Sequence, residues 1–128
     1  MTTQTALLNI IIADDDPEML LTVSSMVGMA GYRSIATQNF EAFKKAYVEP
    51  VHAVMLDLVM PGKDSEKIME FLSARQSQPP LVFITGSFPE DIARRQAQAS
   101  GLGLNVCDVL IKPFWTDDVA RSLKSIGA

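Results

Sequence analysis

Four polar positions in this chain directly follow or end short apolar runs, and their chemical types suit the handling of a phosphoryl group. Three acids, Asp14–Asp16, follow LLNIIIA, Asp57 follows VHAVML, Thr85 ends LVFIT, and Lys112 follows VCDVLI. Crowded carboxylates repel one another and offer hard oxygen ligands, which favour Mg²⁺ over Zn²⁺. If one acid became an acyl phosphate, a lysine and a hydroxyl could take up the added negative charge. This set predicts phosphoryl transfer, in which positioning and charge neutralisation supply most of the catalysis.

These side chains can act together only if the elements that carry them end at a common place. Four of the apolar runs are rich in β-branched and aliphatic residues and lack alternation, which is typical of strands buried on both faces of a parallel sheet. A weaker, more alternating run predicts an edge strand. In chain order the predicted strands cover Leu7–Ala13, Tyr32–Ala36, Val51–Leu56, Leu81–Thr85 and Val106–Ile111.

Segments with apolar residues at helical spacing separate the strands. Asp16, Asn39 and Thr116 stand where helices should begin, and side chains of these types commonly accept hydrogen bonds from the first helical turn. The predicted helices cover Pro17–Ala30, Asn39–Tyr47, Ser65–Arg75, Glu90–Ser100 and Asp117–Ile126.

Regular alternation of strand and helix predicts an α/β fold, a doubly wound five-stranded parallel sheet with helices on both faces. We expect residues 1–128 to form a single domain, with residues 1–7 as a short N-terminal tail. In such sheets ligands bind beyond the carboxyl ends of the strands. The three acids, Thr85 and Lys112 should therefore meet at one edge of the sheet.

The fourth predicted helix has the weakest apolar face, because most of its apolar residues are alanines. This composition predicts a helix that is held loosely. Arg94 and Arg95 within it are interpreted as a solvated face. Cys107 is interpreted as a small buried residue, and His52 as a histidine at the surface or the edge of the core.

Composition excludes several classes of function. One cysteine and one histidine cannot supply a zinc-finger type of site or an intramolecular disulfide, and this cysteine usage favours a cytoplasmic protein. A net charge of −4 argues against direct nucleic acid binding, which requires a basic face. No apolar run is long enough to span a membrane.

Four segments in this order resemble a known family. IIADDDP, MLDLVMPGKD, FITG and LIKPF are similar to the motifs of receiver domains of two-component response regulators, over about Leu8 to Ile126. Each segment alone is a weak pattern, but four at the ends of the expected strands form a specific one. The resemblance implies the flavodoxin-like (βα)5 fold and a phosphorylation-dependent signalling domain that is not an enzyme.

The resemblance also implies a role for each acid. Asp57 corresponds to the phospho-acceptor. Asp14 and Asp15 correspond to the acidic pair that binds Mg²⁺ together with Asp57, and the backbone carbonyl of Val59 is a further ligand. Asp16 follows this pair and is interpreted as the cap of the first helix.

Two further positions are implied to contact the phosphoryl group. Thr85 corresponds to the hydroxyl that closes on the phosphate, and Lys112 to the lysine that pairs with it. In such domains the bond between that lysine and the following proline is cis, so Pro113 is expected to be a cis proline.

The implied partners are a sensor histidine kinase or a histidine phosphotransfer protein, and an output domain or protein. A homodimer through the fourth helix, fifth strand and fifth helix is a further possibility of the family. Two positions depart from its pattern: Val109 stands where an aromatic residue is usual, and Ser65 stands where glycine is usual. Because a valine cannot act as a rotating ring, a receiver-fold interaction module that does not switch remains the alternative.

Overall fold

The computed structural model describes residues 7–86 and 88–127, in which strands and helices alternate. The predicted tail lies outside the described residues except for Leu7. A short 3-10 helix, Pro61–Lys63, precedes the third α-helix. The strands are β1 (Asn9–Ala13), β2 (Arg33–Thr37), β3 (Ala53–Asp57), β4 (Pro80–Thr85) and β5 (Asn105–Ile111), and the helices are α1 (Pro17–Met29), α2 (Phe40–Ala46), α3 (Asp64–Ser73), α4 (Pro89–Gly101) and α5 (Thr116–Ser125).

The five strands form one parallel sheet in the order β2-β1-β3-β4-β5. Every residue of β3 is buried, whereas β2 and β5 at the two edges each have one buried residue and are otherwise partly or fully exposed. A central strand covered on both faces is expected to be apolar along most of its length, and in β3 the exception is Asp57 at its end. The predicted doubly wound, flavodoxin-like α/β fold is confirmed, including the edge position of the second strand.

Each face of the sheet packs against its own set of helices. One core contains inward side chains of α2 and α3, such as Phe43 and Leu72, together with Phe83 of β4, and it also includes Ala99 of α4. The other contains those of α1 and α5, such as Val23 and Leu123. The sheet therefore lies between two apolar layers.

The helix caps agree with the sequence in two cases out of three. The Asp16 side chain accepts the Glu18 N–H at 3.0 Å, and the Asn39 side chain accepts the Ala42 N–H at 2.8 Å. The prediction of Thr116 as the cap of the last helix is wrong, because Thr116 is already its first residue. Here Asp118, inside the first turn, accepts the Trp115 N–H at 2.8 Å.

The prediction that Cys107 is buried is wrong, since this residue is exposed. Between β4 and β5 the pairing passes from Leu81–Val106 to Val82–Asp108, so Cys107 is an extra residue on the edge strand. Such a bulge shifts the alternation of inward and outward side chains by one position.

Helix α4 is held by little apolar contact, as its sequence predicts. Of its 13 residues only Ile92 and Ala99 are buried. Arg94 faces solvent, with a side chain that is 71% exposed. The interpretation of Arg95 as part of the same solvated face is wrong, because its side chain is only 21% exposed.

Among the described residues, no helix is both long enough and apolar enough to span a membrane.

We predict that Leu72→Ala lowers the free energy of unfolding by about 2–5 kcal/mol, because Leu72 is 1% exposed in the core that supports the loop after β3. Leu21→Ala is the matched control, since Leu21 is 70% exposed and its truncation should change the free energy by no more than about 0.5 kcal/mol. Denaturant unfolding measures both values. Equal losses in the two variants would contradict this assignment of the core.

Candidate functional site

The carboxyl ends of four strands bring the candidate residues to one edge of the sheet. Asp57 at the end of β3 lies opposite Ile84, the penultimate residue of β4. Thr85 ends β4, and its carbonyl accepts the Lys112 N–H at 2.8 Å, just beyond β5. Parallel pairing thus places the ends of β3, β4 and β5 side by side, with β1 on the other side of β3.

Three carboxylates meet at this edge. Asp14, Asp15 and Asp57 each offer an oxygen, and these oxygens lie within 4.8 Å of one another. Asp14 is fully buried and Asp57 is 4% exposed, while Asp15 is half-buried. Like charges at this separation repel strongly when water is largely excluded.

One lysine partly offsets this repulsion. The Lys112 Nζ lies 3.1 Å from Asp57 Oδ2 and 3.5 Å from Asp14 Oδ2, so a single ammonium bridges two carboxylates that come from different strands. Burial alone would lower the pKa of Lys112, but the neighbouring carboxylates of Asp57 and Asp14 outweigh it and raise that pKa. Lys112 is therefore a cation at neutral pH.

Asp14 is the acid most affected by its surroundings. Burial, supported by the charge of Asp57 and a hydrogen bond to it, raises the pKa of Asp14 to about 6, against the opposing effects of the Asp16 N–H and Lys112. The Asp16 N–H donates to Asp14 Oδ1 at 3.0 Å. Ionised Asp14 is thus only partly compensated in the metal-free protein.

The segment that follows β3 fixes Asp57 by hydrogen bonds. The Val59 N–H donates to Asp57 Oδ1 at 2.9 Å, which leaves Oδ2 toward Lys112. The buried Ser65 hydroxyl at the start of α3 donates to the Asp57 carbonyl at 2.7 Å. Ser65 is the residue that departs from the family's usual glycine, and here its hydroxyl serves the backbone of the acceptor strand.

Sequence reasoning missed Arg95. Its Nη2 donates to the Leu58 carbonyl at 3.0 Å, one residue after Asp57, and its Nη1 forms an ion pair with Glu66 of α3. A signal for it exists in the sequence. Ile92, Arg95 and Ala99 are spaced by three and four residues, so they share one face of α4.

The other residues named from the sequence differ in their burial and in their distance from the site. Thr85 is fully buried at the end of β4, whereas the Val59 side chain is 64% exposed. Val109 is half-buried against the core under α2, α3 and α4. The Lys112–Pro113 bond is cis, as expected. His52 lies at the amino ends of the strands, away from the site, where its Nδ1 accepts the Asn9 N–H at 2.9 Å.

A family model described as the response regulator receiver domain matches residues 10–124. The chain belongs to this family. The match covers all five strands except Asn9, the first residue of β1, and it includes the site residues at their ends. The receiver fold and the two-component response regulator relationship are therefore established for this chain.

Curated relatives agree with this assignment. The receiver domain is 30% identical over 121 residues to the positive alginate biosynthesis regulatory protein of Pseudomonas aeruginosa, covering 91% of this chain and 46% of that protein. It is 26% identical to the alkaline phosphatase synthesis transcriptional regulatory protein PhoP of Bacillus subtilis, with 91% and 47% covered. The chain thus spans about half the length of the curated relatives it matches.

Solved structures show the same fold. A response regulator from Colwellia psychrerythraea superposes with a TM-score of 0.81 at 26% identity, covering 94% of this chain and 97% of that one. The BeF3-activated DrrB receiver domain superposes with a TM-score of 0.76 at 21% identity, with the same coverage. The second likeness concerns the fold alone.

We predict that Asp14→Asn stabilises the metal-free protein. The folded-state pKa of about 6 lies above the ordinary 3.8, so ionised Asp14 opposes folding. This effect is absent below about pH 4, grows between about pH 4 and 6, and is complete above that range. In EDTA at pH 7.5 the substitution should raise the free energy of unfolding by on the order of 1–2 kcal/mol.

Denaturant unfolding from pH 4 to 8 measures this difference, which should shrink toward the acid end. Asp16→Asn is the matched control, because it removes the same charge from an exposed residue and asparagine also caps helices. Destabilisation by Asp14→Asn at pH 7.5, or equal effects of the two variants, would contradict the crowding of charge at this site.

Proposed function

We propose that this receiver domain accepts a phosphoryl group on Asp57 and thereby changes its surface for an output partner. The observation that carries the proposal is the contact of Lys112 with both Asp57 and Asp14, with Asp15 completing the carboxylate cluster. We further propose that residues 1–128 act as one receiver domain.

In the proposed reaction a carboxylate oxygen of Asp57 attacks the phosphorus of a phosphohistidine donor. A new P–O bond forms, the P–N bond breaks, and the histidine nitrogen leaves with the electron pair of that bond. The protein contributes chiefly by orienting the carboxylate and neutralising charge. The Val59 N–H and Lys112 already orient the two oxygens of Asp57, one each.

The cofactor implied is Mg²⁺, and the residues present fit it. Three ionised carboxylates and one ammonium leave two net negative charges at the site, which a divalent cation balances. Asp14, Asp15, Asp57 and the Val59 carbonyl would hold it, and all are hard oxygen ligands. When bound, it would neutralise charge on the phosphoryl oxygens.

Thr85 and Lys112 would serve the phosphorylated state. Lys112 now pairs with the carboxylate that would carry the phosphoryl group, so its ammonium is close enough to pair with the added oxygens. The proposed role of the Thr85 hydroxyl is to donate a hydrogen bond to the phosphoryl group from the end of the neighbouring strand.

The proposed partners are a sensor histidine kinase or a histidine phosphotransfer protein as donor, and an output domain or protein in the cytoplasm. Exposed apolar side chains support a contact surface around α4, β5 and α5. Phe88 directly precedes α4 and is 75% exposed, Ile111 ends β5, and Trp115 directly precedes α5 and is 68% exposed. A homodimer through these elements is proposed as one use of this surface.

Incubation with Mg²⁺ and acetyl phosphate, followed by intact mass measurement, tests the proposal. The wild type should gain the mass of one phosphoryl group, and Asp57→Asn should gain none. Asp16→Asn, the control at an exposed neighbouring acid, should behave as the wild type does. An adduct that persists in Asp57→Asn would reject Asp57 as the acceptor, and no adduct on the wild type would reject the proposed phosphorylation and favour the non-switching interaction module.

We also predict that the adduct is long-lived. Hydrolysis needs a water in line with the acyl phosphate, and the side chain two residues after Asp57 is positioned to orient it. Here that residue is Val59, which is exposed and has no polar side-chain atom. Val59→Asn should therefore speed dephosphorylation several-fold.

The measurement is the loss of the mass adduct with time after the donor is removed. Val59→Leu is the control, since it keeps an apolar side chain and should leave the rate nearly unchanged. Complete loss within seconds in the wild type, or an asparagine variant no faster than the wild type, would contradict this explanation.

A further inference from the structure

Arg95 is the polar anchor of a helix that has little apolar contact. Ile92 and Ala99 are the buried residues of α4, and Arg95 lies between them on the same face. The Arg95 side chain is 21% exposed, and that of its ion-pair partner Glu66 is 24% exposed. A partly buried arginine with fixed partners restrains a helix more strongly than a solvated one does.

The two ends of the Arg95 guanidinium contact two different elements. Nη1 pairs with Glu66 in the first turn of α3, and Nη2 donates to the Leu58 carbonyl at 3.0 Å. A planar guanidinium fixes the relative direction of its donors, so the two contacts also constrain each other. Helix α4 is thereby linked to the residue that directly follows Asp57.

The Leu58 peptide belongs to a segment, Asp57–Val59, that several hydrogen bonds hold in place. The Leu58 N–H donates to the Ile84 carbonyl at 3.1 Å, and the Ser65 hydroxyl donates to the Asp57 carbonyl at 2.7 Å. The Val59 N–H donates to Asp57 Oδ1 itself. A shift of this backbone on binding at Asp57 would therefore be transmitted to the Arg95 contact.

We propose that Arg95 is a positioning residue that couples occupancy of the Asp57 site to the position of α4. The inference rests on the proposed function and adds a route by which its signal leaves the site. Because coupling between two sites is reciprocal, an α4 released from Leu58 should change the affinity of the Asp57 site for a phosphoryl mimic.

Arg94 supplies a matched control in the same helix. Its side chain is 71% exposed and pairs with Asp91, one turn away in α4, at 3.0 Å. Arg94→Ala therefore removes the same side chain and the same charge as Arg95→Ala, but it breaks no contact with α3 or with the segment after β3. General effects of helix stability or net charge should appear in both variants.

The experiment is a titration of each variant with beryllofluoride at constant Mg²⁺, followed by backbone amide NMR. Arg94→Ala should match the wild type in affinity and in the shifts of α4. Arg95→Ala should bind the mimic with an affinity that differs from the wild type by at least about 5-fold. Its shifts should persist at Asp14, Asp15 and Val59 but fall to a small fraction in α4.

Two further variants test the geometry of the guanidinium and the charge of its partner separately. Arg95→Lys should restore the response only in part, because one ammonium cannot reproduce the two directed contacts. Glu66→Gln should reduce the amide shifts in α4 when Arg95 is present, but it should have no further effect when combined with Arg95→Ala. Thermal melting of each variant measures structural damage separately, and a lower melting temperature with unchanged affinity would mean that Arg95 is only structural.

The outcomes separate this inference from the proposed function. A wild type that does not bind the mimic overturns both. A wild type that binds, with Arg95→Ala and Arg94→Ala indistinguishable from it in affinity and in α4 shifts, overturns the coupling role alone. If Arg95→Ala does not fold, Arg95→Lys and Glu66→Gln decide the question by the same two readouts.

Discussion

The crowding of three carboxylates, of which one lysine contacts two, is the constraint on which the rest of this structure depends. Asp14 and Asp57 are almost without solvent, and the Lys112 ammonium alone cannot balance them together with Asp15. Burying incompletely paired charge is unfavourable. The domain therefore carries a local instability that a cation would relieve, and the proposed chemistry uses it.

The fold tolerates this instability because the strands that carry the acids are the best packed. β1 and β3 lie inside the sheet, between an apolar layer under α2 and α3 and another under α1 and α5. Rigid strands hold the carboxylates close despite their repulsion. The side of the sheet at β5 is packed less well. The strand contains a bulge and α4 has few buried residues, so rearrangement is least costly there.

The sequence predicts most of the fold and the composition of the site because both follow from local pattern. Unbroken apolar runs predict the buried strands to within two residues at every end, and Asp16 and Asn39 are correct caps. The polar residues at the strand ends predict which side chains meet. What the sequence alone does not give is the order of the contacts among them, such as the bridging position of Lys112.

The errors have identifiable physical causes. Thr116 has the right residue type for a cap, but the Asp118 carboxylate bonds the Trp115 N–H and sets the first turn one residue earlier. Cys107 lies on a bulge, which no alternation pattern predicts. Arg95 is charged, so composition suggests solvent, yet its partners Glu66 and Leu58 become neighbours only when α3 and α4 pack on the same face of the sheet.

The effect of Mg²⁺ on stability is the most direct test of the carboxylate cluster as a metal site. If the carboxylate cluster binds the ion in the folded state only, Mg²⁺ at 100 times its dissociation constant should raise the free energy of unfolding at pH 7.5 by about 2.7 kcal/mol. Asp15→Ala, which removes the least buried acid of the cluster, should abolish most of this gain, measured by thermal or denaturant unfolding. An unfolding transition that millimolar Mg²⁺, Mn²⁺ and Ca²⁺ all leave unchanged would contradict the account.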